Sequence, residues 1–112
     1  MWDAYKKGYK GWLQLEKSLA DNSVEAYLHD IEKFTSFLSE VRDVKTPADV
    51  NIRHLEAFVQ WINELGMTVT SQARIISGLR SFYKYCLVEQ IVKGDPTLLL
   101  EAPKTSRKLP DV

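Results

Sequence analysis

Apolar side chains recur every three or four residues along most of this sequence, and that spacing predicts α-helices. The longest such stripe has seven members: Val24, Tyr27, Leu28, Ile31, Phe34, Leu38 and Val41. No segment alternates apolar and polar residues for long enough to predict a β-strand. The sequence therefore predicts an all-α fold.

Breaks in the pattern divide the chain into four main helices. The first is predicted between Asp3 and Leu19, although Gly8 and Gly11 each weaken it by about 1 kcal/mol relative to Ala. Its stripe is aromatic, and at helical spacing we expect it to pack in the core or against another domain. The members of this stripe are Trp2, Tyr5, Tyr9 and Trp12.

The ends of the other helices are predicted from their capping residues. Asn22 and Glu25 are spaced as a capping box at the start of the second helix, which then extends to about Arg42. The segment Thr46–Asp49 fits one short turn, Asn51 fits the cap of the third helix, and Gly66 fits its left-handed end. The fourth helix is predicted to begin after Thr68 or Thr70 and to continue to about Ile91, before Gly94, Asp95 and Pro96.

Composition excludes several classes of protein. A length of 112 residues suits one domain. One cysteine and two histidines are too few for a disulfide or a tetrahedral zinc site. We therefore expect no metal and no cofactor, and an inert core thiol at Cys86. No apolar run is long enough for a membrane helix, and no signal peptide is visible, so we expect a cytoplasmic protein that does not bind membranes.

Charge is unevenly distributed. The formal net charge is zero, with 15 basic and 15 acidic residues, and this neutrality alone does not suggest a nucleic-acid partner. However, residues 22–66 carry −4 and residues 67–94 carry +3. A phosphate backbone responds to the local field rather than to the net charge. The basic segment, residues 67–94, is therefore the candidate location of a face that binds phosphates.

The fourth helix has a polar face opposite its apolar stripe. At about 100° per residue, the residues of this face are all cationic or small. They are Thr70, Ala73, Arg74, Ser77, Arg80, Ser81 and Lys84. Small residues permit a close approach, hydroxyls can bond phosphates or base edges, and guanidinium can grip guanine, as a helix in a major groove requires. The same face would also suit simple solvation or packing against another helix.

The run from Thr70 to Tyr85 resembles the fourth-helix signature of the core-binding domain of tyrosine recombinases, particularly the Xer and phage-integrase branch. Three further parts of the sequence resemble the same domain, and the first of them, Leu13 to Leu19, is similar to the end of the family's first helix. The other two are longer. One is the second helix, in Asn22-Ser23-Val24, Ala26-Tyr27, Asp30-Ile31 and Phe34. The other is the domain exit, in Asp95-Pro96, Ala102-Pro103-Lys104 and Leu109-Pro110.

The resemblance implies an all-α, SAM-like bundle of four main helices with a short connecting turn and a C-terminal linker. Residues 1–101 would form the DNA-binding domain, and residues 102–112 would lead to a catalytic domain that this sequence lacks. The fragment itself would not be an enzyme and would hold no catalytic residue. Its partners would be double-stranded DNA, the catalytic domain of the same chain and other recombinase protomers in a synaptic tetramer.

The resemblance also implies which residues contact DNA. On the fourth helix they are Thr70, Ser71, Gln72, Arg74, Ser77, Arg80, Ser81 and Lys84. On the second helix they are Asn22, Ser23, Tyr27 and His29. Gln72 is an exception on the helical wheel, because its angle places it with the apolar stripe. Asp30 is either a surface acid or, following the family, a residue that orients neighbouring helices, and we favour the structural role.

The sequence departs from the family pattern at two places, and an alternative function stays open. Leu28 and His29 follow Tyr27 where basic residues are common, and Ala20 occupies the usual position of a serine cap. Contacts from the second helix would therefore be weaker. The alternative is a SAM-like helical protein-interaction module that docks through the face of the fourth helix. The resemblance does not separate chromosome-dimer resolution from mobile-element integration.

Overall fold

The computed structural model describes residues 2–15, 17–40 and 44–100. Within these ranges the chain forms helices α1 (Asp3–Leu15), α2 (Asp21–Leu38), α3 (Ile52–Glu64) and α4 (Val69–Val88). Two short 3₁₀ turns cover Pro47–Asp49 and Pro96–Leu99, and these ranges contain no β-strand. The predicted all-α fold of four main helices is confirmed. The predicted linker at residues 102–112 lies outside the described residues.

Helix α4 is the central element of the bundle. It packs against α1, α2, α3 and the second 3₁₀ turn. The ring of Phe82 lies within 5.2–6.2 Å, centroid to centroid, of four other aromatic rings. These belong to Trp2, Tyr9, Tyr83 and Tyr85. The aromatic stripe of the first helix therefore lies in the core, as predicted, and Tyr5 packs half-buried at its edge.

Glycine 8 allows α1 to approach α4 closely. A Cβ atom at this position would lie much closer to the Tyr85 hydroxyl oxygen than van der Waals contact allows. Alanine would be the better residue for an isolated helix. In this bundle, the glycine gives up some helix propensity so that the Tyr85 side chain can pack against α1.

Helices α1 and α2 differ from the prediction at their ends. Helix α1 ends at Leu15 rather than Leu19. Helix α2 begins at Asp21 with Ala20 as its N-cap, and no side chain caps it, so the capping box at Asn22 is wrong. Helix α2 also ends at Leu38, whereas the predicted end at Arg42 lies outside the described residues.

Helix α4 ends at Val88, three residues before the predicted end. Gln90 adopts the left-handed region with φ of 60°, and the Ile91 N–H donates to the Cys86 carbonyl at 2.8 Å. This bond belongs to a Schellman ending, which glycine usually forms. Because glycine is the usual residue at such an ending, the prediction placed the end of the helix too close to Gly94.

The predicted starts of α3 and α4 are confirmed. The Asn51 side chain accepts from the backbone N–H groups of Arg53 and His54, and the His54 ring accepts from the Asn51 N–H at 3.0 Å. Gly66 ends α3 with a φ of +87°. Of the two threonines proposed for α4, Thr68 is the cap, because its hydroxyl accepts from the Ser71 N–H. These caps fix the loop between α3 and α4 and therefore the direction in which α4 begins.

Stability should fall in alkaline solution because of the buried Cys86 thiol. Burial, with a smaller effect of Asp95, raises the thiol pKa from 9.0 to about 12. Above about pH 9 the unfolded chain therefore binds fewer protons than the folded chain, and the free energy of unfolding decreases as pH rises. We expect urea titrations at pH 8 to 11 to show this decrease, and the Cys86→Ala variant to show a shallower one. Equal slopes for the two proteins would contradict the assignment.

Candidate nucleic-acid interface

Residues predicted to contact DNA line a groove between α2 and α4. At one end the groove is lined by Asn22 and His29 of α2, and by Ser71 and Arg74 of α4. It continues between Ser23, Tyr27 and Ser77, and the two parts share Ala26, Asp30 and Arg74. We call this surface the α2–α4 groove.

A third depression extends the groove toward the end of α1. Its lining contains Tyr27, which also lines the α2–α4 groove, together with Arg80, Ser81 and Lys84 of α4. The structure thus brings ten of the twelve predicted residues onto one connected surface. The other two are Thr70, which is exposed outside this lining, and Gln72.

Gln72 lies in the interior rather than on the surface. Its side-chain amide donates to the Asn63 side-chain oxygen at 3.1 Å and to the Met67 carbonyl at 2.9 Å. These bonds hold the turn between α3 and α4, and the residue is buried. The helical-wheel angle of Gln72 indicated this position and the family resemblance did not. We therefore leave Gln72 out of the interface.

Arg74 and Asp30 form an ion pair across the groove. Both carboxylate oxygens of Asp30 accept from the Arg74 Nη1 atom, at 3.0 and 3.1 Å. The Asp30 side chain is only 4% exposed, whereas the Arg74 side chain is 56% exposed. Burial raises the pKa of the Asp30 carboxyl above its ordinary value, and the Arg74 charge partly opposes that shift. Asp30 is thus a buried group that joins α2 to α4.

Gly78 makes room for the Asp30 carboxylate against α4. A Cβ atom at this position would lie 2.9 Å from Asp30 Oδ2 and 3.1 Å from Asp30 Cβ. Such distances require the carboxylate or the helix to shift. The absence of a side chain at Gly78 therefore determines where Asp30, and with it Arg74, can lie.

Arg80 occupies the edge of the interface. Its Nη2 atom donates to the Leu100 carbonyl at 2.6 Å, just after the second 3₁₀ turn. The same side chain lines the depression that holds Ser81 and Lys84. Arg80 therefore connects the polar face of α4 to the residue that follows the second 3₁₀ turn.

Two cations of this surface were missed from the sequence. Lys33 lines the same part of the groove as His29 and follows it by one helical turn, so the spacing on α2 could have indicated it. Lys17 lines the depression beside Lys84, with its ammonium 5.3 Å from the Trp12 ring centroid. Lys17 lies beyond the end of α1, so helical periodicity carried no signal for it.

In the part of the chain that the structure describes, no three His, Cys, Asp or Glu side chains are grouped to hold a metal ion. Nor is any described helix long and apolar enough to cross a membrane. The α2–α4 groove is lined by charges of both signs, Arg74 and Lys33 with Asp30 and Glu25, and by hydroxyls and one half-buried tyrosine.

Comparison with known proteins gives a consistent assignment. Residues 7–90 match the family described as phage integrase, N-terminal SAM-like domain. The chain is 36% identical over 110 residues to tyrosine recombinase XerD of Staphylococcus saprophyticus, covering 98% of this chain and 37% of that protein. It is 40% identical over 100 residues to tyrosine recombinase XerD of Pseudomonas aeruginosa, covering 88% of this chain and 32% of that protein. The chain thus spans about a third of the length of these relatives, and no solved structure matches it.

Proposed function

This chain belongs to the family of phage-integrase N-terminal SAM-like domains, and on that premise we propose that it is the DNA-binding domain of a Xer-like site-specific tyrosine recombinase. In this proposal the domain positions the recombinase on one half of its recombination site, with α4 in the major groove. The observation that carries the proposal is the connected surface formed by the α2–α4 groove and the depression beside it.

The chemistry of this surface suits a duplex. Arg74, Ser77 and Lys84 are exposed, and hydroxyls and cations of this kind bond phosphate oxygens and base edges. The half-buried alanine and serines of α4 would allow the helix backbone to approach the base pairs. Lys33 at one end of the surface and Lys17 in the depression at the other add two cations that could attract phosphates.

The parent enzyme enters the proposal through the length of the relatives. Because this chain covers 37% of one XerD protein and 32% of another, we propose that residues 102–112 connect it to the catalytic domain of the same recombinase. Recombination also needs several protomers on DNA, so other recombinase protomers are proposed partners. In this arrangement the chain binds DNA, and strand cleavage belongs to the catalytic domain.

Salt dependence tests DNA binding directly. Each phosphate that the protein neutralises contributes about −0.9 to the slope of log K against log salt. Contacts from three or four cations therefore predict a slope of about −3. We expect this slope in fluorescence anisotropy titrations of the chain against a labelled duplex. If the folded chain does not bind duplex at low salt, or binds without salt dependence, the proposal fails and the protein-interaction alternative gains support.

Lys84→Ala should weaken binding to every duplex alike. Lys84 is exposed beside Ser81, and a flexible ammonium contributes to phosphate attraction rather than to base reading. We expect the salt slope to become shallower by about 1, with no change in the preferred sequence. Lys93→Ala is the matched control, because Lys93 is exposed beyond the end of α4 and lines none of these depressions. Equal slopes for the two variants would remove Lys84 from the interface.

A further inference from the structure

The contact between Asp30 and Arg74 leaves one edge of the guanidinium free. Both carboxylate oxygens of Asp30 accept from Nη1. Among the described residues, the Nη2 and Nε atoms of Arg74 have no acceptor within hydrogen-bond distance. The side chain is 56% exposed and lines the α2–α4 groove. The Nη1 atom of the guanidinium is therefore held by the protein, and the edge formed by Nη2 and Nε is open to the groove.

We propose that Asp30 is a positioning residue that fixes the Arg74 guanidinium so that its free Nη2–Nε edge reads one guanine of the duplex. The two N–H groups of that edge would donate to guanine O6 and N7 in the major groove, which is the geometry of a bidentate arginine contact. The proposal rests on the proposed DNA-binding function. It adds which base is read and which residue orients the arginine that reads it.

Arginine needs such support to read a base. A free arginine side chain has many rotamers, and ordering it on binding reduces the affinity that the contact can contribute. A hydrogen bond from one nitrogen to a fixed carboxylate removes much of that freedom before DNA arrives. Asp30 is fixed because it lies in the packed interface between α2 and α4, against the space left by Gly78.

A purely structural role explains the Asp30 charge less well. A buried carboxylate loses its hydration, and apolar residues usually join two helices with equal or greater stability. Here the charge lies within the groove at the point where an exposed guanidinium meets it. The ion pair also neutralises Arg74, so this arginine contributes little to the general attraction for phosphates and acts mainly through its direction.

The positioning role and a structural role predict different effects of Asp30→Asn. An asparagine of the same shape removes one negative charge from the groove and cannot accept from Nη1 with two anionic oxygens. We expect affinity for random duplex to stay the same or increase. We also expect discrimination for one guanine to fall by about fivefold or more, because Arg74 is no longer held. A structural defect alone would instead weaken binding to all duplexes together.

The experiment begins with the preferred sequence, obtained by selecting duplexes bound by the chain from a randomised pool. Affinities are then measured for that duplex and for duplexes in which each guanine is replaced in turn. The wild-type chain should lose about tenfold affinity at one guanine, and Asp30→Asn should reduce that loss to about twofold. The control is Glu25→Gln, which removes one charge from the same groove and leaves the ion pair of Arg74 with Asp30 in place. It should leave the loss at that guanine unchanged.

Two further results keep the proposal open to refutation. If Asp30→Asn does not fold, Gly78→Ala serves in its place, because the added Cβ displaces the Asp30 carboxylate while its charge remains. A wild-type chain that binds and selects a guanine, with unchanged selection in these variants, overturns the positioning role and leaves the proposed function intact. A wild-type chain that does not bind duplex overturns the proposed function itself. Uniform loss on all duplexes in Asp30→Asn, with the loss at the guanine still about tenfold, would indicate a structural defect and contradict the positioning role.

Discussion

Arg74→Ala is expected to weaken binding to the preferred duplex by about 1–3 kcal/mol and to abolish discrimination at one base pair. The reason is that the guanidinium, held at Nη1 by Asp30, presents a free pair of N–H donors to the α2–α4 groove. Affinity for duplexes that already lack the guanine should also fall, but by less, because Arg74→Ala leaves the Asp30 carboxylate as an uncompensated negative charge in the groove. Parallel titrations of the two duplexes measure both effects.

Arg74→Lys is the control for charge and for folding. A lysine can keep its cation beside the buried Asp30 carboxylate, so the groove retains its charge. It lacks the planar fork that pairs with two acceptors on one base. We therefore expect Arg74→Lys to lose discrimination as Arg74→Ala does, with the salt slope of the wild-type chain. A lysine variant that keeps full discrimination would contradict the bidentate contact.

Gly78→Leu is expected to lower the free energy of unfolding by about 3 kcal/mol. Any Cβ at this position already lies 2.9 Å from Asp30 Oδ2, and a leucine adds three more carbon atoms to a packed interface. The helix would have to move away from α2, which would also open the groove. Urea denaturation of the purified variant measures the loss.

Gly11→Ala is the matched control for glycine replacement in a helix. Nothing lies within 4 Å of a Cβ built at Gly11, so the substitution adds helix propensity without a clash. We expect it to leave stability unchanged or to raise it by up to about 1 kcal/mol. If Gly78→Leu were as stable as Gly11→Ala, close packing of α2 on α4 at Asp30 would be the wrong account of this glycine.

Much of the candidate site could be predicted from the sequence because it lies on single helices. The spacing of Arg74, Ser77, Ser81 and Lys84 placed them on one face of α4, and the structure keeps all four on the proposed surface. Periodicity reports which side of a helix is polar, and that information is local. The four-helix fold follows from the same local signals, supported by the caps at Asn51 and Thr68.

What the sequence did not indicate depends on tertiary packing or on unusual residue types. The contact of Asp30 with Arg74 joins residues 44 positions apart, and no local pattern reports it. The rules for helix ends missed Ala20 as an N-cap and Gln90 in a left-handed ending, because other residues usually occupy such positions. Only the family resemblance had placed Ala20 at a cap. Gln72 shows the opposite case, because the wheel angle indicated its burial and the resemblance led away from it.

The most direct test of the central claim is DNA cleavage by an iron chelate tethered to a single cysteine on the proposed surface. Ser77→Cys places the label in the α2–α4 groove, and Glu56→Cys places it on the exposed side of α3. The native Cys86 should stay unlabelled, because its thiol is buried and its pKa is raised to about 12. Our account predicts cleavage of bound duplex from position 77, suppressed by salt, and none from position 56. Cleavage from position 56, or a bound duplex left intact by the label at position 77, would contradict it.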